Sequence, residues 1–315
     1  MVANPLEPFL KRQGFFVLDG GLATELEVRG CDINDPLWSG KVLLEDPELI
    51  RSVHYDYLLA GADCIMSASY QATIEGFERR GLSRSAATET IRASVRFAVE
   101  ARDDFWQNQE NREGRLRPLV AASVGPYGAF LADGSEYDGR YGLSSDDLLT
   151  FHRERWHLLA ESGADIFACE TIPSLVETHA LVELLGETSS MACLFSFSCR
   201  DGEHLHDGSW LKEAVGAVSE SEQIVAIGVN CVPPSLIPKL IETVSRASEK
   251  PAVVYPNSGE NWNATTKTWH GIADPVDFGI AAKDWYDLGA RIVGGCCRTR
   301  PEHVRAIRDA LVGRG

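Results

Sequence analysis

Eight short apolar runs, rich in β-branched and aromatic residues, recur along the whole chain, at residues 15–21, 64–70, 119–126, 166–171, 193–199, 225–231, 252–256 and 291–297. Each stops at Gly, Pro, Asn or a polar cluster, the punctuation of strand ends. Several are apolar at odd and even positions alike, as in IVAIGVNC (224–231) and FSFSC (195–199). A one-sided strand would alternate, so runs of this kind predict strands covered on both faces, as in a parallel sheet. Between them the apolar spacing is helical, over 46–60, 85–105, 146–162, 174–185, 235–248 and 277–288. Gly-Ala pairs at 61–62, 163–164 and 289–290 mark helix ends. Ser174-x-x-Glu177 and Thr299-x-x-Glu302 read as capping boxes, with Pro301 just inside the second helix.

Strands followed by helices or long loops, eight times over, predict an α/β fold, a single (β/α)₈ TIM-type barrel filling one domain over 1–315. The competing architecture is an open doubly wound sheet. The polar residues favour the barrel, because nearly every run ends in chemically capable groups. These are Asp19, residues 67–71, Gly125, Glu170, Cys199, Asn230-Cys231, Asn257 and Cys296-Cys297. Barrel strand ends converge on one mouth, where such enzymes keep their active sites. Two connections, 127–143 and 257–274, are long for barrel loops, and their aromatic content predicts ordering over a ligand. No repeat, low-complexity segment or linker divides the chain.

A formal net charge of −16 argues against a nucleic-acid partner, since phosphate contacts need clustered Lys and Arg. Residues 1–13 lack the apolar stretch of a secretory signal, and no window approaches the roughly 18 apolar residues of a membrane span. The expectation is a cytoplasmic protein with small-molecule partners, no membrane and an open oligomeric state. In that reducing compartment the eight cysteines are fillers, ligands or reactive thiols rather than a disulfide framework.

Cys231 closes one run (GVNC) and Cys296-Cys297 close the last (GGCC). In a barrel these three sulfurs approach one point, and catalytic zinc typically has three protein ligands and an open fourth position. The helix expected near Pro301 would place its positive end close to the vicinal pair. Adjacent cysteines are not a standard zinc spacing, and a cysteine at a strand end is often a small buried hydrophobe. That second reading applies to Cys64, Cys169 and Cys193. A structural zinc would need a fourth ligand, for which His54, His204 and His270 are candidates. The residues alone leave these alternatives open.

LDGGLATELE (18–27), DPLWSGKVL (35–43), SASYQAT (67–73), SVGPYGAFLADGSEY (123–137), ACETIP (168–173), GVNC (228–231), VYPNSGENWN (254–263) and GGCCRT (294–299) together resemble the homocysteine S-methyltransferase family. The likeness is to its S-methylmethionine- or S-adenosylmethionine-dependent branch and covers essentially the whole chain. It implies a (β/α)₈ barrel with Zn2+ on Cys231, Cys296 and Cys297. It also implies that Asp19 and Glu170 hold the amino-acid end of homocysteine. Gly20 and Gly21 then allow close approach of a carboxylate, and Ser67 and Asn230 are further substrate contacts. Asn257, Ser258, Gly259 and Glu260 match the donor-side loop, where Glu260 would offset sulfonium charge. Tyr70, Tyr127 and Trp262 are candidates for cation–π contacts with the sulfonium. The alternatives are a non-catalytic thiol- or zinc-binding barrel and a methyltransferase using another donor such as betaine.

Overall fold

The computed structural model describes residues 2–33, 39–259, 261–263, 268–270 and 274–314. The predicted strands are all present: β1 Phe16–Val17, β2 Cys64–Met66, β3 Leu119–Val124, β4 Ile166–Ile172, β5 Cys193–Phe197, β6 Ile224–Asn230, β7 Ala252–Tyr255 and β8 Ala290–Val293. Neighbours pair in parallel from β2 through β8, and β8 pairs with β1. A parallel bridge between Leu18 and Cys64 joins β1 to β2 and closes the ring. The sheet is therefore a barrel and not the open doubly wound alternative.

Closure explains the doubled apolar parity. On β4, Ile166 and Ala168 belong to a core inside the barrel, with Leu18, Leu194, Ala226, Val253 and Ile292. The alternate residues Phe167 and Cys169 belong to the core between strands and helices, with Phe195, Ile227 and Trp156. Trp156 stacks on Phe167 at 4.1 Å between ring centres. The helix Glu7–Gln13, too short to announce itself by periodicity, closes the lower end. Its Phe9 meets Phe16 edge-on at 4.9 Å.

Local signals set the helix ends. Asp46 caps Pro47–Ala60 by accepting from the Leu49 amide, and Gly61 terminates it at φ 115°. Ser83 caps Arg84–Gln107, and Ser144 with Asp147 forms a reciprocal capping box on Ser145–Ala160. The expected box at Ser174 is half formed. Ser174 accepts from the Glu177 amide, but the Glu177 side chain goes instead to the Tyr127 amide and His152. The expected box at Thr299 is not formed. Arg300 is the N-cap of Pro301–Leu311, and its amide donates to His303 Nδ1. The Thr299 hydroxyl instead donates to the Cys296 carbonyl (2.7 Å) and accepts from the Gly21 amide (3.3 Å), joining the loops after β8 and β1 at the barrel mouth. The long loops carry structure of their own: the short helix Tyr127–Leu131, a 3₁₀ turn Ser135–Tyr137, and an antiparallel hairpin pairing Asn261–Asn263 with Thr268–His270.

Gly228 sits at the tightest point of the β6–β7 seam, where an added Cβ would overlap the Val253 carbonyl oxygen. We expect Gly228→Ala to cost about 1–3 kcal/mol, as overpacking of a closed core does, read as a lower urea midpoint at unchanged m-value.

Candidate metal centre and substrate site

Alternation carries the site into the barrel. Ser123, Glu170, Ser196, Asn230 and Tyr255 share the inward parity of Ala121, Ala168, Leu194, Ala226 and Val253, and they form a polar layer above the apolar filling. Beyond β6 the chain turns through Cys231 at φ 53°, and Thr171 beyond Glu170 has φ 63°. Both are non-glycine residues in the left-handed region, and for a β-branched residue that conformation must be held by its surroundings. Asn230 holds it. Its Oδ1 accepts from the Thr171 amide (2.7 Å) and the Ser196 hydroxyl (2.9 Å), and its Nδ2 donates to the Thr171 hydroxyl (2.8 Å).

The three sulfurs meet as expected. Cys231, Cys296 and Cys297 place their Sγ atoms within 4.8 Å of one another, and Cys231 and Cys297 are 3.7 Å apart. Metal–sulfur bonds of about 2.3 Å in a tetrahedron require sulfurs about 3.8 Å apart, and the Cys231–Cys297 pair stands at that separation. Backbone bonds stitch the loops together: Cys231 N to Tyr255 O (3.2 Å), Cys296 N to Pro256 O (2.8 Å), Ser258 N to Cys297 O (3.0 Å) and Gly295 N to Asp19 O (3.0 Å). Donation from the Cys296 and Cys297 thiols holds the Cys231 thiol well below its ordinary range. The same bonds, with burial and the charge on Cys231, push the other two up. One thiolate is thus self-stabilised, and a divalent cation is what would let all three ionise. His54 and His204 are not in this cluster, and of the described residues only the three cysteines form a metal-sized group. Cys64, Cys169 and Cys193 are buried fillers as expected.

Two buried carboxylates stand at the same mouth, Glu170 within the field of Cys231 and Asp19 within that of Glu170. Asp19 accepts from the Met66 amide (2.8 Å), and burial, with the charge of Glu170, raises its carboxyl well above the usual range. Glu170 accepts from the Ser123 hydroxyl and bonds Tyr255. Burial first and the charge of Cys231 second push it up to about 7. Each carboxylate feels the other or the thiols, so this is a common anionic cavity that a cation would relieve.

The remaining expected contacts fall out unevenly. Ser67 is buried, and its hydroxyl is already engaged by the Ser69 hydroxyl (2.6 Å) and the Ser123 amide (3.1 Å). The glycines of the D-G-G motif admit protein atoms. A Cβ on Gly20 would lie 2.9 Å from Thr299 Oγ1 and Tyr57 Cε1, and one on Gly21 would lie 2.7 Å from the Cys296 carbonyl oxygen. Asn257 keeps a buried Oδ1 without a hydrogen-bond partner among the described residues, Ser258 is tied to Cys297, and Gly259 turns at φ 107°. Glu260 lies outside the described residues, and Trp262 is described only as part of the hairpin backbone. Tyr127 belongs to an aromatic cluster with Phe130, Tyr141 and Phe151 instead of lining the cavity. Tyr70 does border it, in contact with Thr171 and within the fields of Glu136, Cys231 and Glu170.

Three residues at the site escaped the sequence reading. The Tyr137 hydroxyl lies 3.0 Å from the Cys231 sulfur, and its ring meets His206 edge-on at 5.6 Å. Glu136, 8% exposed, is pushed up to about 7 by burial and by Cys231 and Asp133. The length of loop 127–143 pointed to the segment, but no spacing singled out these side chains.

The homocysteine S-methyltransferase family model matches residues 16–311. The homocysteine S-methyltransferase YbgG of Bacillus subtilis is 51% identical over 304 residues, covering 96% of each chain. A selenocysteine Se-methyltransferase of Brassica oleracea is 48% identical, covering 96% of this chain and 90% of its own. The metallated form of the homocysteine methyltransferase MmuM from Escherichia coli superposes with a TM-score of 0.86 at 43% identity, covering 97% of this chain and 99% of its own.

Two outcomes follow from this geometry. Asn230→Ala should leave Thr171 and Cys296 unsupported and weaken metal affinity about 10–100-fold, read by competition with a chelator. In metal-free protein, the folded-state pKa of Glu170 stands above its unfolded value. The native state therefore keeps its proton longer, and unfolding free energy should decline between about pH 4.5 and 7. Glu170→Gln should remove up to about 3 kcal/mol of that decline, measured by urea unfolding across the range.

Proposed function

Because the chain belongs to the homocysteine S-methyltransferase family, we propose that it transfers a methyl group to the thiol of homocysteine from a sulfonium donor, giving methionine. The favoured donor is S-methylmethionine, with S-adenosylmethionine second. The observation that carries this reading is the convergence of three cysteine sulfurs beside two buried carboxylates at one barrel mouth. We read 1–315 as one homocysteine-binding barrel domain. Cytoplasmic residence suits it, because the cluster needs its thiols reduced.

Cys231, Cys296 and Cys297 would hold the metal, and zinc fits the sulfur spacing and the all-thiolate donor set. Bound there, zinc supplies a Lewis acid that keeps the acceptor's sulfur deprotonated at neutral pH, where a free thiol with pKa near 8.5 is mostly protonated. Asp19 and Glu170 pair the acceptor's ammonium, which returns both carboxyls to their charged forms. Asn230 fixes the φ of Thr171 and so the direction of Glu170. The sulfonium carbon is already activated by its positive sulfur, and the leaving group departs as a neutral thioether. No general acid is needed. What remains for the protein is to align two sulfurs and one carbon, a task of position and exclusion of water.

The likeness to a selenocysteine Se-methyltransferase favours a second acceptor class, since a site that holds a thiolate also suits a selenolate.

Purified protein with homocysteine should form methionine from S-methylmethionine faster than from S-adenosylmethionine, and betaine should be inert. Cys297→Ala should abolish activity and bound zinc together, with the circular dichroism spectrum unchanged. Methionine formation by a zinc-free preparation would contradict the mechanism.

A further inference from the structure

Among the described residues, Glu136 is a buried acid without a counter-charge. Its Oε2 has no hydrogen-bond partner among the described residues, and the charges acting on it, from Cys231 and Asp133, are both negative. It is nevertheless held firmly. A Cβ on Gly128 would overlap the Glu136 backbone, so the helix Tyr127–Leu131 lies directly against it. On the other side Gly139 turns at φ 71°, and a Cβ there would come within 2.7 Å of the Pro173 carbonyl oxygen, just beyond β4. The neighbouring Tyr137 hydroxyl reaches the Cys231 sulfur at 3.0 Å. Glu177 and Arg155 brace the base of the loop through the Tyr127 amide and the Gly125 carbonyl. This much structure holds a carboxylate where burial and neighbouring charge disfavour it.

A buried charge persists where a partner completes it. The metal does not complete this one. Three thiolates already exceed the charge of a divalent cation by one, and an acceptor thiolate raises the excess to two. Asp19 and Glu170 lie together and serve the acceptor's ammonium. The donor is the remaining cation, and its sulfonium must come up to the acceptor sulfur at the cysteine cluster. We propose that Glu136 is the electrostatic partner of the donor's sulfonium, a specificity-determining residue that selects a cationic methyl donor over a neutral molecule of the same shape. The Tyr137 hydroxyl, 3.0 Å from the Cys231 sulfur, and Tyr70, within the fields of Glu136 and Cys231, border the same space.

This role has a kinetic sign. The sulfonium loses its charge as the methyl leaves, so the attraction of Glu136 is strongest in the ground state. It therefore serves donor binding more than the chemical step.

The inference rests on the sulfonium-donor reading, and the test separates the two. Binding to zinc-loaded enzyme without acceptor is measured by calorimetry for two ligands. One is S-methylmethionine; the other is 2-amino-5-methylhexanoate, in which a neutral CH replaces the charged sulfur. Glu136→Gln should weaken S-methylmethionine roughly 30-fold, the scale for truncating one partner of a buried charge pair, and change the neutral isostere less than about twofold. Glu136→Asp should recover part of the loss, zinc content should stay at the wild-type level, and donor KM should rise by more than kcat falls. Equal weakening of both ligands assigns Glu136 a structural or ammonium-binding role and overturns the proposal, as does no weakening of either. If wild-type protein transfers no methyl group from S-methylmethionine, the donor reading itself fails. Transfer with unchanged ligand discrimination in Glu136→Gln defeats only the inference about Glu136.

Discussion

The amide of Asn230 accepts from the Thr171 amide and the Ser196 hydroxyl and donates to the Thr171 hydroxyl, inside a barrel closed to water. Nearly all its hydrogen-bonding capacity is spent on protein atoms, and the spending joins two strands with different chemical duties. β4 presents Glu170, and β6 ends in Cys231. Thr171 stays in the left-handed region only because both its amide and its hydroxyl are tied to Asn230. The Nδ2 atom also lies 4.0 Å from the Cys296 sulfur, so the same side chain reaches the end of β8. A polar side chain in a barrel core is costly unless saturated, and this saturation places carboxylate and thiols together.

Anionic groups accumulate around that joint. Asp19, Glu170 and Glu136 are buried acids, each pushed above its usual range, and three thiols share one point beside them. Such a cavity is electrostatically incomplete by itself. In the proposed function a divalent metal, an ammonium and a sulfonium would supply the missing positive charge in three different places, which would make charge balance and substrate choice one property. The cost is borne by the rest of the barrel, whose strands are covered on both faces by apolar side chains. The field of a chain with formal net charge −16 works in the same direction, favouring the approach of cations.

Much of this was legible in the residues because a barrel repeats one physical rule eight times. Apolar runs on both parities meant strands covered on both faces, and strand-end polar residues meant a mouth. Asp19, Glu170 and the three cysteines all lie there. Local rules failed where a side chain had a better tertiary partner than its sequence neighbour. Thr299 binds the Cys296 carbonyl rather than capping its helix, and the Glu177 side chain leaves its own N-terminus for Tyr127 and His152. Tyr127, an apparent pocket residue, is committed to an aromatic cluster. Glu136 gave no signal, because an acid in a Gly- and Asp-rich loop reads as solvated until the loop is seen folded inward.

The order of residues by itself determined the barrel and the strand ends that carry Glu170, Asn230-Cys231 and Cys296-Cys297, since apolar runs, helical periodicity and their punctuation are local consequences of backbone geometry. Only the tertiary structure decided that the three sulfurs lie within 4.8 Å of one another, that Asn230 supports the site through Thr171, and that Glu136 lies buried in the field of Cys231 with its Oε2 unpartnered among the described residues. Those facts depend on how loops from β1, β3, β4, β6 and β8 close over one another. Separations of up to 278 residues, as between Gly21 and Thr299, leave no periodic trace in the chain.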